Sequence, residues 1–278
     1  MKLHAINTGF FKLDGGAMFG VVPKSIWSKT NPADENNMCS WAMRCLLIET
    51  SEKLILIDTG IGNKQSEKFF NYFYLHGKDN LKKSINNAGF SCKDITDVIF
   101  THLHFDHCGG AVKKENNTDK LLFPNANHWT HKEHWEWANN PNSREKASFL
   151  KENFLPIKEA GKLNFINEEK FITNIQLKLY YGHTHAQIIP FINFNKKTIV
   201  FCADLLPSTG HIPLPYVMGY DVKPLITLQE KESFLNEAYE KKYILFLEHD
   251  YFNECCLIDK DLNKFKVKKT GKLIDFIH

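Results

Sequence analysis

The chain has 278 residues, 43% of them hydrophobic and 24% charged, which excludes a disordered or low-complexity polypeptide and leaves ample apolar surface for a core without disulfide staples. Thirty-five basic against thirty-two acidic residues give a formal net charge of +3, too weak and too evenly spread for a nucleic-acid footprint. No run approaches the roughly 18 apolar residues of a membrane span, and the opening Met1-Lys2-Leu3-His4 lacks the apolar stretch of a signal peptide, so a cytoplasmic protein without membrane contact is expected. Seven cysteines, an odd number at irregular spacing, read as reduced structural thiols.

In chain order, the stretch from about 10 to 40 carries Met18, Phe19, Val21, Ile26 and Trp27 with no period. It reads as an apolar loop that lines a pocket or covers a partner subunit, with ordinary core packing the equal alternative for each residue. Leu46–Thr50 and Leu54–Ile57 flank Ser51-Glu52-Lys53 as a β-hairpin that ends in Asp58-Thr59-Gly60. Asp79–Gly89 reads as a helix stopped by glycine, and Asp97–Phe100 as a strand. His128, His131 and His134 recur every third residue among tryptophans and are assigned to an aromatic helix packed on the domain. The spacing of Phe149, Leu150, Phe154, Ile157 and Ala160 predicts a helix over Ser143–Gly161, kinked or ended at Pro156. A strand around Leu177–Tyr180 precedes a second hairpin, Ile188–Phe194 with Thr198–Phe201, which ends in Ala203-Asp204-Leu205. Thr227-Leu228-Gln229-Glu230 reads as a capping box opening a helix to about Lys242, and Tyr243–Leu247 as a buried strand. Two hairpins that each finish on an aspartate hint at a duplicated half. Strands and helices alternate without a linker, so one α/β domain over 1–278 is expected.

The chemistry concentrates after the strand that ends at Phe100, in Thr101-His102-Leu103-His104-Phe105-Asp106-His107-Cys108-Gly109-Gly110. Residues two apart on an extended backbone project to one side, so His102 and His104 suit one metal while Asp106 and His107 turn toward a neighbour. Imidazoles with carboxylate favour zinc and also admit manganese, cobalt or iron. Further donors fall at the ends of other predicted strands: His183, Asp204 and His249, with His185 ambiguous beside His183. With Asp204 bridging, one metal takes His102, His104 and His183 and the other Asp106, His107 and His249.

These residues, His102-Leu103-His104-Phe105-Asp106-His107 with Asp58-Thr59-Gly60, Gly182-His183-Thr184, Asp204 and His249, resemble the successive motifs of the metallo-β-lactamase superfamily. The resemblance implies a four-layer αβ/βα sandwich of two mixed sheets flanked by helices, a two-metal site at one edge, and a structural role for Asp58 in bonding backbone near that site. Leu13–Lys24 and Ile212–Asp221 resemble the branch that holds N-acyl homoserine lactone lactonases and methyl parathion hydrolases. Pro207 follows Asp204 by three residues, where some lactonases carry a tyrosine that polarises the substrate, and His211 is the expected replacement.

The activity expected on this basis is lactone opening, in the sense of quorum quenching. Two metals lower the pKa of a shared water, the hydroxide attacks the carbonyl carbon, and Asp106 moves the proton. A phosphotriester or another ester is the alternative substrate on the same site. A homodimer is implied by the resemblance and by the apolar N-terminal stretch.

Overall fold

Short runs of branched apolar residues alternate with capped helical segments, and the resulting chain, described over residues 1–167, 170–262 and 264–277 of a computed structural model, divides into two compact units. The first comprises Met1–Gly9 and Met43–Glu168, the second Phe10–Ala42 and Glu169–His278. Among the described residues no helix is long and apolar enough to cross a membrane.

The first unit is built on a six-stranded sheet in the order Lys2–Asp14, Met38–Glu49, Leu54–Ile57, Asp97–Ile99, Asn127–His131, Leu163–Ile166, whose first two strands run on past the unit's boundaries. The expected hairpin is present, with Leu46 opposite Ile57 and Glu49 opposite Leu54. From Leu54–Ile57 onward the pairings are parallel, which requires a crossover between successive strands and cover for the sheet. The helix Leu81–Asn87 supplies one crossover. Asn80 caps it by accepting from the Lys83 N–H at 3.0 Å, and Gly89 ends it at φ 93°. Leu81 and Ile85 enter a core with Leu47, Leu56, Val98 and Phe100. At about 25 cal/mol per Å² of apolar surface, such burial is the main stabilising term.

Two expectations for this unit are corrected. Ser143–Gly161 is not one helix, since it holds a 3-10 turn at Lys151–Asn153 and a separate short helix at Leu155–Glu159. Pro156 lies in that helix's first turn, where its missing N–H costs nothing. His128 and His131 lie on the strand Asn127–His131, and only His134 lies on the helix Lys132–Asn139. Their three-residue spacing crosses a strand–helix junction.

The second unit has a seven-stranded sheet in the order Lys264–Gly271, Cys255–Asp261, Ile244–Phe246, Lys197–Phe201, Gln187–Phe194, Ile175–Tyr180, Lys170–Ile172. Lys197–Phe201 returns from Gln187–Phe194 through Asn195 and Lys196 at φ 48° and 63°, the left-handed pair that a tight hairpin turn requires. It then pairs in parallel with Ile244–Phe246. The long helix runs Pro224–Lys241, so Thr227 lies inside it rather than capping it. Proline, preset to helical φ, begins the helix. The Glu230 carboxylate accepts instead from the Tyr181 and Gly182 N–H groups at 2.6 and 3.0 Å.

The N-terminal apolar stretch is likewise not a loop. It forms the short helices Gly15–Phe19 and Lys24–Trp27, the first capped by Asp14, which accepts from the Ala17 N–H at 2.7 Å. Met18, Phe19 and Trp27 are core residues, while Val21 and Ile26 are exposed.

Candidate metal centre

In the first unit the donors follow the strand Asp97–Ile99, at the carboxyl ends of parallel strands where α/β sheets place their sites. Asp58, at the matching end of Leu54–Ile57, organises them. Its Oδ1 accepts from the Thr101 N–H at 2.8 Å, its Oδ2 accepts from the Thr101 hydroxyl at 2.6 Å, and His107 Nδ1 lies 3.1 Å from the same Oδ2. This is the backbone-bonding role the resemblance implied. The Thr101 hydroxyl in turn lies 3.0 Å from His102 Nδ1.

Behind the loop, backbone packs on backbone. A Cβ at Gly109 would stand 2.2 Å from the Ile61 carbonyl oxygen, and one at Gly110 would stand 2.1 Å from that of Thr59. Two glycines therefore follow Cys108 because any side chain at those positions would push the segment off its support. The result is a tight set: the His102 ring lies 4.4 Å from that of His104 and 3.9 Å from that of His107, and Asp106 Oδ2 is 3.7 Å from His107 Nε2. All four residues are buried.

The second unit draws His183 and His249 from two loops and Asp204 from the 3-10 turn Ala203–Leu205, and brings them together. His183 Nε2 is 3.0 Å from Asp204 Oδ2, and His249 Nε2 is 3.0 Å from Asp204 Oδ1. The far side of each ring is held, His183 Nδ1 at 2.8 Å from Asp221 Oδ1 and His249 Nδ1 at 2.7 Å from the Ala42 carbonyl oxygen. Burial opposes a charge on His183, yet the Asp204 and Asp221 carboxylates flanking it push its pKa up to about 10. Two carboxylates packed around one imidazole make a setting that favours a cation.

These arrangements fit a divalent metal. In His102, His107, His183 and His249 a hydroxyl, carboxylate or carbonyl oxygen occupies Nδ1, which fixes the tautomer that presents the Nε2 lone pair to a metal. The donor set of imidazole and carboxylate is that of zinc and its neighbours.

The other histidines go elsewhere. His211 is buried with both nitrogens engaged, Nδ1 at 2.8 Å from Ser208 Oγ and Nε2 at 2.9 Å from the Met18 carbonyl oxygen, and its ring stacks on Phe19 at 4.4 Å. Burial pushes its pKa down to about 3. A neutral, doubly bonded imidazole in the core is held for packing, which leaves no ring atom for the substrate-polarising role expected of it. His185 packs edge-on against Tyr181 at 5.2 Å. His134 Nε2 accepts from the Leu103 N–H at 2.8 Å, supporting the loop between two donors. Sequence reasoning missed Thr101, Glu145 and Asp221, buried residues that hold the donors. Only Thr101 carried a signal, its adjacency to His102.

A family model described as the metallo-beta-lactamase superfamily matches residues 44–249. The N-acyl homoserine lactonase AiiA of Bacillus thuringiensis subsp. kurstaki is 25% identical over 269 residues, covering 91% of this chain and 94% of its own. Among solved structures, a probable metal-dependent hydrolase from Staphylococcus aureus is 30% identical with a TM-score of 0.86, covering 97% of both chains. AidC, a dizinc quorum-quenching lactonase solved with a product homoserine, is 24% identical with a TM-score of 0.79, covering 96% of this chain and 93% of its own.

Proposed function

The chain belongs to the metallo-beta-lactamase superfamily and is a metal-dependent hydrolase, and from that premise we propose that it opens the lactone ring of N-acyl homoserine lactones with two zinc ions bound. His102, His104 and His183 would hold one ion, Asp106, His107 and His249 the other, and Asp204 would bridge. When bound, the metals supply Lewis acidity that activates water and polarises a carbonyl. The Asp106 carboxylate would accept the proton released as water adds to the lactone carbonyl carbon, then return it to the ring oxygen as the carbon–oxygen bond breaks. The leaving alkoxide stays tethered to the product, so one proton shuttled at one carboxylate closes the reaction.

The observation that carries this reading is similarity along nearly the whole chain to a lactonase, 91% of it at 25% identity. Imidazoles whose Nδ1 atoms are held in both units support it. The same reading places the protein in the cytoplasm as a homodimer, which light scattering checks by a mass near twice 32.2 kDa.

The test is hydrolysis of short- and long-chain acyl homoserine lactones by the zinc-loaded protein, followed with a pH indicator beside a phosphotriester. Lactone opening that is abolished by chelation and by Asp204→Ala is the expected result. Silence on every lactone with clear phosphotriester turnover would move the function to the second substrate class.

A further inference from the structure

We propose that Glu145 is a positioning residue that sets the tautomer of His104 and thereby selects Nδ1 as that residue's metal-binding atom, an inference that rests on the metal-centre reading above. His104 stands apart from the other four histidines assigned to the metals. Theirs is the Nδ1 atom that a neighbouring oxygen holds, at 2.7 to 3.1 Å, leaving Nε2 for the metal. In His104 it is Nε2 that is held, 3.3 Å from Glu145 Oε1.

The carboxylate is itself aimed. The Trp137 indole N–H and the Asn142 side-chain N–H both donate to Oε2, at 2.7 and 2.8 Å, which turns Oε1 toward the imidazole. Asn142 Oδ1 accepts from the Arg144 and Glu145 N–H groups at 2.8 and 3.1 Å and pins the turn that carries Glu145. Trp137 lies on Lys132–Asn139, the helix whose His134 accepts from the Leu103 N–H. One short helix thus braces the loop by its backbone at Leu103 and, through Glu145, by the side chain of His104.

An ionised carboxylate only accepts hydrogen bonds, so it holds the His104 proton on Nε2 and exposes the lone pair of Nδ1. Glu145 is 3% exposed and His104 8%, so water competes little for either. Replacing Glu145 by glutamine inverts the instruction. Two donors already point at Oε2, so the amide turns its oxygen to them and its NH₂ to His104, and a donor at that place asks for the proton on Nδ1.

The experiment uses the full-length, metal-free protein at pH 8 with long-range ¹H–¹⁵N spectra of the imidazoles, followed by titration with zinc. Wild type is expected to show His104 protonated on Nε2. Glu145→Gln is expected to move that proton to Nδ1 and to weaken zinc binding about 10- to 100-fold, with the melting temperature of the metal-free protein close to wild type. A role confined to folding predicts the reverse: a lowered melting temperature with tautomer and zinc affinity unchanged, which would overturn the proposal. If Glu145→Gln does not fold, Glu145→Ala is read by the same spectra, where a mixture of tautomers supports the proposal and an undisturbed Nε2 proton defeats it. Failure of wild type to bind zinc would instead count against the metal-centre reading, and the tautomer measurement distinguishes the two.

Discussion

The first unit gathers four donors from one stretch of six residues, His102 to His107, that runs from a loop into the short helix Phe105–Cys108, whereas the second gathers three, His183, Asp204 and His249, from the segments after three different strands. Beneath that difference the local design is shared. Each unit turns out of a hairpin into a parallel strand pair, Leu54–Ile57 with Asp97–Ile99 and Lys197–Phe201 with Ile244–Phe246. Each also places a left-handed residue at the strand's end, Asp58 itself at φ 57° and Ala203, before Asp204, at φ 41°. The aspartates then diverge in use. Asp58 collects N–H and O–H donors and holds a donor loop in shape, while Asp204 faces the Nε2 atoms of two imidazoles. A duplicated frame can therefore carry a structural aspartate in one copy and a metal-facing one in the other.

The largest effect that would sharpen this contrast is on turnover. Asp106→Asn should lower lactone hydrolysis by about 10²- to 10⁴-fold, the usual contribution of a positioned acid–base group, with the fold retained by circular dichroism. Full activity with both metals bound would remove the proton-shuttling role from the first unit.

Stability separates the two supporting carboxylates next. Asp58→Ala strips an acceptor from two buried donors on Thr101 and from His107, and should destabilise the metal-free protein by about 3 to 5 kcal/mol. Asp221→Ala, which removes the partner of His183 Nδ1, should cost about 1 to 3 kcal/mol. Urea midpoints of the two variants give the comparison directly, and equal losses would break it.

The buried histidines of the two units supply a pH test. His128 lies buried against Phe100 in the first unit, and burial pushes its pKa down to about 4. A folded pKa below the unfolded value of roughly 6.5 means that the unfolded chain binds the proton first. The stability is thus complete above pH 6.5 and is lost as pH falls toward 4, by about 2 kcal/mol between pH 7 and pH 5. His128→Phe should remove that loss in urea unfolding at the two pH values. His211→Phe should not be so well tolerated, because it abandons the Met18 carbonyl oxygen and the Ser208 hydroxyl.

The smallest expected effect is at Glu230. Glu230→Gln keeps one acceptor for the Tyr181 and Gly182 N–H groups and loses the other, for a cost of about 1 kcal/mol in the same assay.

What could be read in advance followed the range of the interaction. The hairpins and the helix stopped at Gly89 were legible because turn chemistry and apolar runs act over a few residues. Short segments with two competing local signals were misread. Pro156 lies in the first turn of a helix, where the apolar spacing had placed a kink or an end, and Pro224 starts one three residues before the apparent capping box at Thr227. Met18, Phe19 and Trp27, without a period, read as a loop in which pocket lining, partner contact and core packing stayed open for each residue. They are core because Phe19 stacks on Trp27 at 5.4 Å and on His211 at 4.4 Å, the second a contact between residues far apart in the chain.

The amino-acid sequence by itself determined the chemical type of the site, since three imidazoles and a carboxylate crowded into His102–His107 are a donor set for a cation. It also determined the hairpin-and-strand frame, since periodicity is a local property. Tertiary structure alone decided which oxygen holds which ring nitrogen: Asp221 on His183, the Ala42 carbonyl on His249, Glu145 on His104. The partners are 38, 207 and 41 residues apart along the chain, and a tautomer is set by an acceptor in space, whatever its distance in sequence.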